Sequence, residues 1–276
     1  MMRPVCWYLM GLFSIALSSD VALSQSSPCP SPIHYGNNKA AGHYATVNGV
    51  RLYYEIYGEG PPLLIMHGND GSIVSMSCQI AYFSGAHRVI AVDDRGRGNS
   101  EDGKARFTFE LQADDFAELL DHEHIAKADL LGHSDGGIIA LLMGIRHPDQ
   151  VNRIVAASPN LRPDALVDAL LASMKQSLAY VNNQLLAGDK RENWSRLQRQ
   201  LEQDLDEPHI SLQQLRTIHT PVLLIEAEQD LIKAEHFREM LNNLNQGRLL
   251  VVPKTIHQNL PTTALFNSEA ARFLQE

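Results

Sequence analysis

The chain is poor in the residues that staple or metallate small proteins: three cysteines in 276 residues, with no C-x-x-C pair and no H-E-x-x-H. Those absences exclude a cysteine-built zinc site, a thioredoxin-type redox motif and a helix-borne metalloprotease site. No dense basic run occurs, and Lys plus Arg total 23 against 32 for Asp plus Glu. A dedicated nucleic-acid binder is therefore disfavoured. No internal repeat or low-complexity tract is apparent. What is there suits a folded chain: 44% hydrophobic and 20% charged residues, with a net charge of −9. The length fits one large domain, or a core with an insertion, able to bury a substantial interior. Charge and length specify neither the substrate nor the oligomeric state.

One segment is membrane-active in character. Met1-Met2-Arg3 is followed by Val5 to Leu17, apolar apart from Ser14, and then by the small-residue stretch Ala22-Leu23-Ser24. The run is shorter than the roughly 20 residues a spanning helix needs. It reads as a cleaved signal over residues 1–24, with the mature chain starting near Ser24/Gln25. That implies a secreted or periplasmic protein with no stable membrane span; an uncleaved anchor is the alternative. Cleavage leaves Cys29 and Cys78. An oxidising compartment permits their pairing, whereas Cys78 as a buried small hydrophobe beside a free Cys29 is equally consistent with the sequence.

Residues 25–42 are rich in Ser, Pro, Asn and Gly and read as a linker. Two β-rich runs, His43–Val47 and Arg51–Tyr57, flank Asn48-Gly49, a strong signal for a type I′ hairpin. Short, nearly continuous apolar runs follow at Leu63–Met66, Val89–Val92, Ala128–Leu131, Arg153–Ala157, Val222–Ile225 and Arg248–Val252. Such runs mark strands buried on both faces. Between them, Phe109 to Leu120 is amphipathic at helical spacing, and Ile138–Ile145 is apolar nearly all round. Alternating β and α units imply an α/β fold, a mostly parallel doubly wound sheet entered by an N-terminal antiparallel hairpin. The alternation is interrupted over 161–209, which reads as a helical insertion between core segments 43–160 and 210–276.

The most informative stretch is Gly132-His133-Ser134-Asp135-Gly136-Gly137, between a predicted strand and a predicted helix. G-x-S-x-G in that setting is a nucleophile elbow, with small residues required two before and two after the Ser. A helix N-terminus beneath the hydroxyl favours developing negative charge. A Ser hydroxyl needs a base, and the base an orienting acid. Asp230 lies just beyond Val222–Ile225 and His257 just beyond the last strand, so both share the strand-end edge with Ser134. Glu228 is the second candidate acid and His67 the second candidate base. His67-Gly68-Asn69 follows another strand, and the backbone N–H of Asn69 with that of Asp135 is the candidate oxyanion hole. The Asp135 carboxylate reads as a first-turn helix acid; attraction of a cationic substrate group is the alternative. Met174, Tyr180 and Trp194 read as packing within the insertion.

These pieces, together with Asp93-Asp94-Arg95-Gly96-Arg97-Gly98-Asn99-Ser100 and Thr220-Pro221-Val222, resemble the α/β-hydrolase fold superfamily over about Tyr44 to Phe273. The closest likeness is to its lid-bearing branch of esterases, lactonases, haloperoxidases and carbon–carbon bond hydrolases. The resemblance implies Ser134 as nucleophile, His257 as base, Asp230 as orienting acid, and 161–209 as a lid. It also makes Asp93 to Ser100 an architectural loop. A Ser nucleophile separates the chain from epoxide hydrolases and haloalkane dehalogenases, which attack with Asp. The function expected is hydrolysis of a small carboxylic ester or lactone through an acyl-enzyme, without metal or organic cofactor. The alternatives are a C–C bond, amide or peracid-forming hydrolase on the same triad, or a non-catalytic binding protein on this scaffold.

Overall fold

A computed structural model describes Cys29 and residues 31–276. The expected signal segment and its cleavage point lie outside the described residues. The hairpin forms where the sequence places it, with β1 (Gly42–Val47) and β2 (Val50–Tyr57) joined at Asn48-Gly49. Both turn residues have positive φ, 41° and 79°, as a type I′ turn demands. The chain continues through β3 (Pro62–Met66), α1 (Ser77–Phe83), β4 (Arg88–Val92), α2 (Phe109–His122) and β5 (Ala128–His133). Next come α3 (Asp135–Arg146), β6 (Val151–Ala157), α4 (Asp168–Leu186), α5 (Trp194–Asp206) and the single turn α6 (Leu212–Leu215). The last elements are β7 (Val222–Gln229), α7 (Ala234–Leu241), β8 (Gly247–Ile256) and α8 (Ala264–Leu274).

The strands form one sheet in the order β1-β2-β4-β3-β5-β6-β7-β8. The β1–β2 and β2–β4 pairings are antiparallel, and all later ones are parallel. Alternate residues of one strand feed opposite layers, because side chains change face at every residue. On one face Leu64, Met66 and Leu130 pack with Phe116 and Ile139. On the other, Leu63, Ile65 and Leu131 pack with Ile80, Phe83 and Phe266. Double-sided burial is why the strand sequences are continuously apolar rather than alternating.

The differences from the sequence reading have local causes. Helix α3 starts at Asp135, three residues before the apolar run, because Gly136-Gly137 conceals its first turn from any hydrophobic pattern. Strand β7 runs past its apolar segment into exposed residues, and β8, expected to be buried on both faces, is the edge strand and only partly covered, with Arg248 and Val251 exposed. The insertion is two helices, with α4 ending at Leu186 and α5 starting at Trp194 behind the Asn193 cap. Trp194, Tyr180, Val181 and Leu201 pack against one another, while Met174 joins the main core. Residues 31–42 are more than a tether. Tyr35 is buried in the sheet's second layer, and Glu55 accepts from the N–H groups of Gly36 and Asn38. Cys29 and Cys78 form a disulfide with Cα atoms 5.2 Å apart, settling what the sequence left open. Among the described residues, no helix is long and apolar enough to cross a membrane.

The loop after β4 holds the site-bearing edge together. Asp93 accepts from Ile73 N–H and Asn99 N–H, each at 2.8 Å, and Ser100 Oγ donates to the Asp93 carbonyl. Arg95, fully buried, grips Asp115 of α2 with Nε and Nη2, both at 2.6 Å. Removing one partner of a buried pair strands the other charge in the interior. Arg95→Ala should therefore destabilise the fold by about 3–5 kcal/mol in urea unfolding. The double variant Arg95→Met/Asp115→Leu should recover most of that loss, and a loss of equal size in both proteins would refute the account.

Candidate active site

The elbow is built by close approach. A Cβ at Gly132 would lie 2.0 Å from the Gly136 carbonyl oxygen, and one at Gly136 would lie 2.4 Å from that of Met66. Side chains at either position are excluded, and Ser134 is driven to φ 56°, ψ −118° between β5 and α3. A non-glycine residue at positive φ costs free energy that surrounding packing must hold in place. What it achieves is a hydroxyl raised above the strand ends at the N-terminus of α3.

Ser134, His257 and Asp230 meet there. His257 Nε2 lies 3.0 Å from Ser134 Oγ, and its Nδ1 lies 2.7 Å from Asp230 Oδ1. The Asp230 side chain is 1% exposed. Burial alone would raise its pKa, but the donors around it more than compensate and hold it below the ordinary carboxylate range. Those donors are His257, Ser158 Oγ at 2.6 Å, Ala227 N–H at 3.0 Å and Leu231 N–H at 2.7 Å. Ser158 was not apparent from the sequence, where nothing distinguishes it from other strand-end serines. It sits at positive φ directly after β6. His133 also approaches, its Nε2 3.1 Å from the His257 carbonyl oxygen and its ring 4.9 Å from the His257 ring. Burial, reinforced by that neighbouring ring, lowers His133 to about 3, so it is neutral at physiological pH.

The other candidates are occupied elsewhere. His67 is buried, with Nδ1 2.8 Å from the Gly68 carbonyl and Nε2 accepting from Asp94 N–H. Glu228 accepts from Lys254 N–H. Gly68 packs against Ser134, since a Cβ there would lie 2.9 Å from Ser134 Cβ. The backbone N–H groups of Asn69 and Asp135 find no acceptor among the described residues.

A family model for the alpha/beta hydrolase fold matches residues 61–196. The structure is similar to the enol-lactonase of Burkholderia xenovorans LB400, with TM-score 0.70 and 23% identity, covering 85% of this chain and 100% of that one. The chain has the α/β-hydrolase fold. Its sequence is similar to the soluble epoxide hydrolase of a Corynebacterium species, 34% identical over 112 residues, 41% of this chain and 39% of that protein. It is also similar to a 2-hydroxymuconate semialdehyde hydrolase of a Pseudomonas species, 33% identical over 123 residues, 43% of this chain and 44% of that protein. The chain spans about half the length of the curated relatives it matches, or less.

In this α/β-hydrolase the ground beside Ser134 is acidic. Asp94, Asp135 and, from α5, Asp204 are all buried, as is Arg97. Arg97 Nη2 donates to Asn69 Oδ1 at 2.6 Å, and Asn69 Nδ2 donates to Asp204 Oδ2. Burial raises Asp94 and Asp135 to about 7, partly offset by Arg97. Burial, with Asp135 adding to it, raises Asp204 well above the ordinary carboxylate range. The loop expected to be purely architectural thus splits in two. Asp93, Arg95, Asn99 and Ser100 hold the fold, while Asp94 and Arg97 border the site. Asp135, whose carboxylate the sequence reads first as a helix-dipole partner, is one of this group.

Proposed function

We propose that this protein is a serine hydrolase acting on a small carboxylic ester or lactone through an acyl-enzyme. One observation carries the reading: an imidazole 3.0 Å from Ser134 Oγ, backed on its other nitrogen by a buried carboxylate at 2.7 Å. In the first half-reaction Ser134 Oγ attacks the acyl carbon while His257 Nε2 takes the hydroxyl proton. The N–H groups of Asn69 and Asp135 receive the oxyanion, a contribution worth about 10²–10³ in rate for each donor. The imidazolium, stabilised by Asp230, then protonates the leaving alkoxide, and an acyl-Ser134 ester remains. In the second half, His257 removes a proton from water as its oxygen attacks that ester, and returns the proton to Ser134.

The two-helix segment α4–α5 is read as the lid, a reading supported by Asp204 of α5, which accepts from Asn69 just beyond β3. Export fits the same picture. The Cys29–Cys78 disulfide suits an oxidising compartment, as does the signal read from residues 1–24. Similarity to the semialdehyde hydrolase keeps carbon–carbon bond cleavage on this triad as the second reading. Activity toward p-nitrophenyl esters and lactones, compared with vinylogous diketones, separates the two.

The test is fluorophosphonate labelling of the mature protein with the modified peptide located by mass spectrometry. Single-site labelling at Ser134, accompanied by turnover of short-chain p-nitrophenyl esters, is the expected result. A folded protein whose Ser134 stays unlabelled by this and by a smaller uncharged phosphonate would overturn the reading.

A further inference from the structure

The base of the triad hangs from the edge of the sheet. His257 follows β8, which pairs with β7 alone and is only partly covered. Shortly before the base, Lys254 stands at φ 58°, so the strand bends as it ends. Local bonds hold that bend. Lys254 N–H donates to Glu228 Oε2 at 2.8 Å, Ile256 N–H to Asn259 Oδ1 at 2.9 Å, and Asn259 N–H to the Ile256 carbonyl at 3.2 Å. These bonds shape the turn without setting its distance from Ser134. Asp230 fixes the imidazole at Nδ1, and a ring held at one nitrogen can still swing the other. A displacement of about 1 Å at a reacting centre can cost about 10²-fold in rate.

A further constraint comes from the elbow. His133 closes β5 immediately before Ser134, in register with Ala157 of β6. Its Nε2 lies 3.1 Å from the His257 carbonyl oxygen, and the two rings are 4.9 Å apart. A carbonyl oxygen only accepts, so the proton resides on Nε2. Burial keeps the ring neutral, which leaves Nδ1 bare and puts no cation beside the imidazolium that forms on His257. We propose that His133 is a positioning residue: its Nε2–H anchors the backbone carbonyl of His257 and thereby sets the approach of the base to the nucleophile. The anchor stands on this geometry alone, whereas its effect on rate rests on the hydrolase reading.

What matters is where the ring is mounted. His133 and Ser134 share a peptide unit, and that unit is tightly determined. Gly132 and Gly136 admit no side chain, Ser134 sits at φ 56°, and its N–H donates to the Ala157 carbonyl at 2.8 Å. Movement of the elbow thus carries nucleophile and anchor together, and the base follows through its carbonyl. Strands β6 and β7 lie between β5 and β8, and a shift accumulated across them would otherwise reach the base undiminished. With the anchor, the 3.0 Å between His257 Nε2 and Ser134 Oγ is set within one rigid unit. Side-chain length then distinguishes the replacements. Glutamine places its NH₂ near the position of imidazole Nε2, asparagine near that of Nδ1, and phenylalanine fills the ring's space without a donor.

The test compares His133→Gln, His133→Asn and His133→Phe with the wild-type protein in two readouts. The first is kcat and KM for a short-chain p-nitrophenyl ester. His133→Asn and His133→Phe should lose about 10- to 100-fold in kcat with KM little changed, whereas His133→Gln stays within about threefold of wild type. The second readout needs no turnover. It is amide hydrogen exchange at Ile256 and Asn259, whose N–H groups close the turn around the base. Exchange there should quicken about tenfold in His133→Asn and His133→Phe and keep the wild-type rate in His133→Gln. Where His133→Phe does not fold, the glutamine and asparagine variants carry both comparisons. Equal impairment of those two would overturn the anchor, because packing rather than a placed N–H would then be what counts. A loss of kcat without faster exchange overturns it too, as does wild-type behaviour of His133→Phe in both readouts, which leaves the hydrolase standing. A wild-type protein that neither turns over esters nor labels at Ser134, yet shows the exchange pattern, keeps the anchor and removes the hydrolase reading.

Discussion

Ser134→Ala protein should hydrolyse a p-nitrophenyl ester about 10⁶-fold more slowly than wild type, the loss seen when a triad nucleophile is deleted. The expectation follows from what one oxygen does at this position. Its departure leaves His257 with nothing to deprotonate except water, which must then attack a bound ester without first forming the acyl-enzyme. A residual acceleration of about 10³–10⁴ over the uncatalysed rate survives through oxyanion contacts and binding. The fold should be indifferent. Ser134 makes no capping hydrogen bond to α3, and the strained backbone of the elbow is imposed by Gly132 and Gly136 rather than by the hydroxyl. Thermal unfolding within about 0.5 kcal/mol of wild type is expected, as for substitutions that sever no structural contact. Retention of more than a hundredth of the wild-type kcat in purified variant would mean that another group performs the attack.

The parts of this molecule that were legible in its sequence are those fixed by local pattern. The Asn48-Gly49 turn announces itself because few dipeptides accept two positive φ angles in succession. Strands β3 to β6 are evident because burial on both faces leaves no room for polar residues. Ser134, Asp230 and His257 could be singled out since each follows a strand end, and the parallel topology gathers those ends on one edge. What sequence alone concealed depends on partners distant along the chain. Ser158 becomes notable only when β6 and β7 bring it 2.6 Å from Asp230 Oδ2. Asp204 is one acid among several on a strongly polar helix, and nothing in its spacing shows that α5 turns it inward against Asn69. Asp94 and Arg97 lie in a loop whose neighbours are structural, so what sets them apart emerges only from the contact of Arg97 with Asn69 and the closeness of Asp94 to Asp135. The Cys29–Cys78 bond needed the path of residues 31–42, which runs back over the sheet instead of away from it.

Asp230→Asn should lower kcat about 10⁴-fold while changing KM little, a loss of the size known for the equivalent change in a Ser-His-Asp triad. Every hydrogen bond to Asp230 is donated to it. Oδ1 takes His257 Nδ1, Leu231 N–H and Ile232 N–H, and Oδ2 takes Ser158 Oγ and Ala227 N–H. An asparagine must replace one acceptor with an NH₂ group, and neither orientation suits the site. With NH₂ at the Oδ1 position it opposes two backbone donors and turns His257 Nδ1 into an acceptor. The proton then resides on Nε2, which can no longer receive one from Ser134. With NH₂ at the Oδ2 position it opposes Ala227 N–H, leaving a buried donor unpaired at a cost of about 1–3 kcal/mol. In both cases the negative charge that stabilises the imidazolium is gone. That charge is present across the working pH range because the same donors hold the carboxyl below its ordinary pKa despite burial. The loss falls on kcat because the charge on Asp230 is called on as the imidazolium forms during the reaction rather than as substrate binds. Fluorophosphonate labelling should slow in step with kcat, since it uses the same proton transfer. A variant that labels and turns over within tenfold of wild type would show that Asp230 serves the fold and leaves His257 to act unaided.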